Sequence, residues 1–305
     1  MTNAARRATI TGFVYVVAAT ALWALVPICV KKCSVAFDAY SICWIRFAVG
    51  SLVLLVVSHL RGGLSRLRRR DAGLIVLAGI AIGANYTAYI RGLQLTTASA
   101  GNVVVNFEAI WLVVMSYFWL RERVGGVRLV GALITFAGVF VAVWNGEGFA
   151  SLVRSPYFIG NMLIIGAAPL WAVYGIAQKL LGDRGVSITA SLACIFGVAG
   201  IVTFPTVLLG FNVHRPVDAS VWFWGFVLVI LGTVGAYLMM AKGFERLDAS
   251  TAAVVTCTLP ILTIIAARIF LSETLSAGVA AGAALVVSGM ILTGHAEANS
   301  RIIQP

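Results

Sequence analysis

The sequence predicts an all-α integral membrane protein: ten transmembrane helices arranged as two inverted-topology five-helix repeats. Three observations predict it. The 305 residues are 61% hydrophobic and only 11% charged, with a mean hydropathy of +0.99. Soluble domains carry about 25% charged residues, so a soluble chain of this make-up could not cover its surface. Several apolar runs exceed the roughly 18 residues that mark a membrane-spanning helix. Finally, the chain says one thing twice. Ala98–Glu122 aligns without a gap to Ala249–Glu273, 151 positions on, matching Ala98/Ala249, Ser99/Ser250, Val103/Val254, Ile110/Ile261, Leu120/Leu271 and Glu122/Glu273, and then Gly131/Gly282 and Gly138/Gly289. A repeat of this kind in a membrane points to a transporter built from related halves.

Taken in order, the first expected span is Gly12–Val30. Arg6-Arg7 before an apolar run resembles a signal peptide, but no small-x-small cleavage site follows, so the segment is expected to be retained. The second span is Ala39–Leu60; the basic loop Arg61–Asp71 separates it from the third, Ala72–Gly92. Ser99–Leu120 and Gly126–Trp144 complete the first unit, assigned to residues 1–147. A polar link, Asn145–Pro156, leads into the second unit, 148–305, with spans Phe158–Lys179, Ser187–Gly210, Val221–Gly243, Ala249–Leu271 and Ala277–Gly294. The repeat reaches the start of each unit: Gly12, Leu22-Trp23-Ala24 and Lys31 recur 148 positions later as Gly160, Leu170-Trp171-Ala172 and Lys179. Tyr86, Arg91 and Gly92 meet Tyr237, Lys242 and Gly243, while the second and seventh spans match poorly.

Lys and Arg in the loops set the expected orientation. With both termini cytoplasmic, the inside segments hold the basic clusters around Arg6, Arg61–Arg70, Arg121–Arg128, Lys179, Lys242 and Arg301; the outside ones hold only Lys31, Lys32, Arg91, Arg154, Arg215 and Arg268. The net charge of +11 thus orients loops in a cytoplasmic (inner) membrane and does not signal nucleic acid. Five spans per unit is an odd number, so the second unit enters from the opposite side, which is the inverted repeat. The five cysteines (Cys29, Cys33, Cys43, Cys194, Cys257) form no CxxC pattern and are expected to be free thiols. No metal or cofactor is expected; the partners are the bilayer and a small molecule, the chain acting as monomer or homodimer.

An ionisable residue inside a span is a functional hypothesis by default. Arg46 and Glu108 qualify. They are expected either to pair with each other across neighbouring helices or to leave Glu108 free for a substrate ammonium or a proton. On one continuous helix, Ser99, Asn102, Asn106 and Ala109 share a face, while Glu108 lies about 200° from Asn106. The Asn stripe is thus expected on a cavity wall, or as glue between helices, with Glu108 turned to a neighbouring helix. Asn85, Tyr86 and Tyr89 line one side of the third span; Trp171, Tyr174 and Gln178 line one side of the sixth; Trp23 and Tyr237 complete repeat-related pairs with Trp171 and Tyr86. Such pairs can line a central pathway, and aromatic walls with a few amides suit small amphipathic solutes; ordinary packing is the competing reading. Pro27, Pro169, Pro205 and Pro260 are expected to interrupt their spans as hinges. The paired glycines, seven apart in each unit, are expected to pack helices closely at a dimer or half–half seam.

Two five-span units, each closing its fourth span with Leu-x-Glu and following it with a Gly-rich fifth, resemble the drug/metabolite transporter superfamily. The nearest branch is the EamA-type metabolite exporters; Ser250 through Leu259-Pro260-Ile261-Leu262 and Trp44-Ile45-Arg46-Phe47 are similar to that branch's fourth-span and second-span signatures. The resemblance implies export, and the aromatic residues in the spans make amino-acid exporters, aromatic ones included, the most similar members. Exporters of cationic drugs or other metabolites are the alternative. The family's proline is present as Pro260 but replaced in the first unit by Glu108-Ala109, so the fourth span is expected to be straighter than the ninth. An intramembrane enzyme is disfavoured, since no HExxH, GxSG-like elbow or mid-span Asp is present. Without GxxxxGK[ST], transport is expected to be secondary or facilitative. A channel is the remaining alternative.

Overall fold

A computed structural model of the chain describes residues 3–62, 67–119, 125–144, 153–210, 217–244, 246 and 255–302. Of the features above, Leu120–Glu122, Arg123, Ala249–Val254, Arg215 and most of the 145–156 link lie outside these residues. The described elements are helices in an order that accommodates all ten spans. The first span is Asn3–Ala24 and Val26–Cys33; the second and third are Ala39–Leu60 and Ala72–Leu95. The fourth is split into Ala98–Val104 and Phe107–Trp119, and Gly126–Trp144 is the fifth. Phe158–Asp183 and Ile188–Gly210 follow, then an eighth span made of Ala219–Phe226, a π-helical segment Val227–Gly235, and Ala236–Phe244. Leu259–Leu271 and Ala277–Ile302 belong to the ninth and tenth. Six helical stretches are long and apolar enough to cross a membrane, and Leu129–Trp144, Leu259–Leu271 and Ala277–Thr293 are shorter apolar helices.

Local chemistry starts these helices where expected. Asp38 caps the second span, its Oδ1 accepting from the Tyr40 and Ser41 amides at 2.8 and 2.9 Å. Asp218 repeats the device at the eighth span, accepting from Val221 N–H at 2.9 Å. Both satisfy amides that a helix start leaves unpaired. The outer faces are apolar: Leu52, Phe118, Ile201, Leu208 and Ile269 are each more than 60% exposed. In water that belt would be a large liability; against lipid it is the solvent-matched surface.

The spans pair across the two halves, fifth with tenth, third with sixth, first with eighth and second with seventh. Exchanging each span for its repeat counterpart leaves this set unchanged. The glycines carry the same exchange at residue level. A Cβ at Gly131 would stand 2.7 Å from the Gly289 carbonyl oxygen, and one at Gly282 would stand 2.6 Å from that of Gly138. Gly131 and Gly282 are repeat mates, as are Gly138 and Gly289. The seam therefore joins the fifth span to the tenth, and as position advances along the fifth its partner recedes along the tenth: these two helices run antiparallel. Gly92 likewise abuts Gly160, and their counterparts Gly243 and Gly12 meet in turn. Only glycine allows backbones this close. No disulfide joins any of the five cysteines.

Candidate functional site

The cavity forms where both halves leave room at the level of the broken helices. It encloses about 410 Å³ and is lined by Trp23 and Val26 (first span), Asn85, Tyr86 and Tyr89 (third), Asn102, Val105, Asn106, Glu108 and Ala109 (fourth), Trp171, Tyr237, Thr256 and Leu259, and Met290 of the tenth. Eight of the ten residues expected on a cavity wall are among them. Tyr174 and Gln178 are not: Tyr174 is buried behind the wall with its ring 5.2 Å from that of Trp171, and Gln178 turns away to donate to Ser191 Oγ at 2.8 Å. The i, i+3, i+7 spacing placed them on the Trp171 side of the helix, but by Gln178 that side has reached the start of the seventh span.

The break in the fourth span changes what that helix can present. A straight helix keeps Glu108 off the Asn102/Asn106 face. Here the α-pattern stops at Val104, and the Asn106, Glu108 and Ala109 amides donate to the carbonyls three residues back, at 3.3, 3.0 and 3.0 Å. The Asn106 side chain makes the break tolerable: its Nδ2 donates to the freed Asn102 carbonyl at 2.6 Å and to Val103 at 3.3 Å. After this turn Glu108 enters the cavity beside both asparagines. The fourth span is therefore broken like the ninth, whose α-helix resumes at Leu259 with Pro260 in its first turn. The expectation of a straighter fourth span fails because an asparagine amide does there what proline does in the other half. Pro27 behaves as expected, at the start of Val26–Cys33 just after the break at Leu25. Pro169 and Pro205 sit inside continuous helices and interrupt neither.

Arg46 and Glu108 do not form the expected pair. Arg46, 1% exposed, lies behind Tyr86 with its guanidinium carbon 4.2 Å from the ring centroid, a cation–π arrangement. Its Nε donates to Thr233 Oγ1 at 2.7 Å and Nη2 to Tyr86 OH at 3.4 Å. Thr233 in turn donates to the Leu228 carbonyl five residues back, at 2.9 Å, within the π-helical segment, a backbone variant common at functional sites. Glu108 instead accepts from Asn85 Nδ2 at 3.1 Å, and the same amide nitrogen donates to Ala167 O at 2.9 Å. Asn102 Oδ1 is buried with no hydrogen-bond partner among the described residues. The wall thus offers a carboxylate with one hydrogen-bond partner among the described residues.

The aromatic rings obey the repeat exchange. Trp23 meets Tyr237 edge-on at 5.3 Å, and their counterparts Trp171 and Tyr86 meet at 6.1 Å. Phe47 and Phe196 touch at 5.2 Å; Phe47 packs on Tyr86 at 5.5 Å, and Phe196 on Tyr237 at 5.6 Å. Phe47 and Phe196 thereby supply the missing correspondence between the second and seventh spans. The polar groups break the exchange. Opposite Arg46, Asn85, Tyr89, Asn102, Asn106 and Glu108 of the first half, the second half has Ile195, Ala236, Met240, Ala253, Cys257 and Leu259. A symmetric aromatic frame carries a polar wall on one side only. Thr256 and Leu259 went unnoticed in the sequence, although the 151-residue offset from Val105 and Glu108 marks them; Met290 had no such signal.

The comparisons agree with this architecture. An uncharacterized transporter of Bacillus subtilis (strain 168), YvbV, is 28% identical over 252 residues, covering 81% of this chain and 80% of its own. An uncharacterized inner membrane transporter of Escherichia coli (strain K12), YhbE, is 28% identical over 264 residues, covering 83% and 78%. A solved crystal structure superposes with a TM-score of 0.66 at 22% identity, covering 98% of this chain and 99% of that one; it shows the shared fold. The sequence profile of the EamA-like transporter family matches twice, at residues 10–144 and 158–294, so the chain belongs to the EamA-like transporter family.

Proposed function

We propose that the protein is a secondary or facilitative transporter that exports small amine-bearing metabolites, amino acids with apolar or aromatic side chains foremost, by alternating access around this cavity. The observation that carries the reading is the combination of a repeat-related aromatic frame with a one-sided polar wall. Trp23, Trp171, Tyr86, Tyr89 and Tyr237 offer π faces to an apolar or cationic body. Glu108, beside the Asn102 and Asn106 side chains, offers a carboxylate to an ammonium group, and charge-assisted bonds of this kind are the stronger ones. A volume of about 410 Å³ lies in the range of small-molecule sites. The inverted halves supply the frame for rocking, and the broken fourth and ninth spans supply the moving parts. On this reading the basic loops face the cytoplasm with both termini, and Glu273 lies at the external end.

One observation favours organic cations as a second reading: the described lining residues include no Lys or Arg, so an amino-acid carboxylate would have only amide, indole and phenol donors. Counterflow in proteoliposomes separates the two. Preloading with unlabelled aromatic amino acid should drive uptake of its labelled form, with and without a proton gradient. If the decarboxylated amines exchange and the amino acids do not, the cation reading replaces the first. If neither exchanges saturably, the assignment of an amine site fails.

A further inference from the structure

We infer that Glu273 is a clamp that holds one mouth of the cavity shut by tying the end of the ninth span to the beginning of the fourth. The inference rests on the alternating-access reading. The ninth span ends at Leu271, and Ser272 takes a left-handed conformation with φ 54°, the only non-glycine residue with positive φ among those described. A serine in that region is held there by its surroundings. The turn brings the Glu273 amide back to the Ala267 carbonyl, at 3.3 Å, and turns its side chain toward the other half of the protein. There Oε1 accepts from Ala98 N–H at 2.7 Å, and Oε2 accepts from Ser99 N–H at 3.1 Å and from Ser99 Oγ at 2.9 Å. Three bonds to one carboxylate cross between halves separated by about 175 residues of chain.

Their position is what gives them consequence. Ala98 and Ser99 begin the helical piece that carries Asn102 to the cavity, and Glu273 directly follows the span that carries Thr256 and Leu259 to it. Both spans are broken at cavity level, so each piece on the Glu273 side can swing without disturbing the rest of its span. The carboxylate joins those two pieces. Around it the same end is further tied: Lys31 Nζ donates to the Thr96 carbonyl, and Thr96 Oγ1 donates to Asn161 Oδ1 at 2.8 Å. At the other end, Arg184 meets Asp71 at 3.2 Å and Lys242 and Arg246 lie over the Tyr15 ring; these contacts join the sixth span to the third and the eighth to the first, and touch neither the fourth nor the ninth span. Opening the Glu273 mouth therefore requires these three bonds to part, and a contact made in one state only biases the balance between states.

The test reads accessibility and needs no substrate. With the five native cysteines replaced by Ala, a reporter cysteine at Ala109, a cavity-lining position, is labelled by a membrane-impermeant thiol reagent applied from one face or the other. Glu273→Gln keeps the shape and removes the charge; it should speed labelling from the Glu273 face by roughly tenfold, the bias that a hydrogen bond to a charged group supports when made in one state only. Labelling from the opposite face should stay level or fall. Ser99→Ala removes one of the three bonds and should give a smaller shift of the same sign, which keeps the test valid if Glu273→Gln fails to fold. Equal acceleration from both faces, or none from either, overturns the clamp. A labelling shift in a protein that shows no counterflow with the proposed amines would leave the clamp standing and remove the amine site; counterflow without a shift would do the reverse.

Discussion

Glu108→Leu is the perturbation that most directly tests the one-sided wall. The substitution removes the one carboxylate that lines the cavity among the described residues and exchanges it for the residue that the other half already carries at the equivalent position, Leu259. The structural cost is small, because Asn85 Nδ2 keeps its bond to the Ala167 carbonyl at 2.9 Å and its second hydrogen faces the cavity. The functional cost is the ionic bond to the substrate amine, about 1.5–3 kcal/mol for a hydrogen bond to a charged group. That corresponds to roughly a ten- to hundredfold rise in the half-saturating concentration, at 1.4 kcal/mol per factor of ten. The assay is counterflow in proteoliposomes with two substrates of one shape, an aromatic amine and its deaminated analogue. The amine should lose affinity by that factor and the analogue should be unaffected. The double variant Glu108→Leu, Leu259→Glu moves the acid to the opposite wall, beside Trp23 and Tyr237, the repeat mates of Trp171 and Tyr86. It should recover part of the loss. An unchanged affinity for the amine in the single variant, or an equal loss for both substrates, would refute the reasoning.

Two further substitutions probe the scaffold. Gly282→Val places a Cβ 2.6 Å from the Gly138 carbonyl and 2.6 Å from Ala142 Cβ, forcing the fifth and tenth spans apart at about 1–3 kcal/mol; thermal melting of the purified protein should fall accordingly, whereas Gly225→Val, with nothing near its Cβ, should leave it in place. Asn106→Ala strips the freed Asn102 carbonyl of its side-chain donor and should cost about 1–3 kcal/mol; hydrogen exchange should rise around the break in the fourth span, and unchanged exchange there would show that the break does not depend on that amide.

Most of the cavity was legible in the sequence because a repeat makes each half a key to the other. Trp23 with Trp171 and Tyr86 with Tyr237 stood out as pairs, and the structure brings each member into one frame. Asn85, Asn102 and Asn106 stood out because amides are costly against lipid. Gln178 satisfied the same rule and went elsewhere: a neighbouring Ser191 hydroxyl took its donor, and helical spacing does not say which neighbour each turn will meet. The supposed Arg46–Glu108 pair failed for a related reason. Opposite charges attract in any arrangement that lets them meet, but Tyr86 stands against the guanidinium and Thr233 offers Nε an acceptor, while Asn85 reaches Glu108 first.

What the sequence determined by itself was the solvent, the repeat and their joint consequence. Hydropathy demanded spans, an odd number of spans per copy demanded inversion, and the 7-residue spacing of Gly131/Gly138 and Gly282/Gly289 demanded a close seam. These are one-dimensional properties, set by transfer free energy and by period. What only the tertiary structure decided was the direction of individual side chains where the helices depart from regularity. The breaks at Val105–Asn106 and ahead of Leu259, and the π-helical turn that presents Thr233 to Arg46, each rotate the following residues away from the face that helical spacing assigns. Glu108 crossed into the cavity and Glu273 reached across to Ala98 because a few backbone hydrogen bonds were exchanged for side-chain ones, and those exchanges depend on partners distant in the chain.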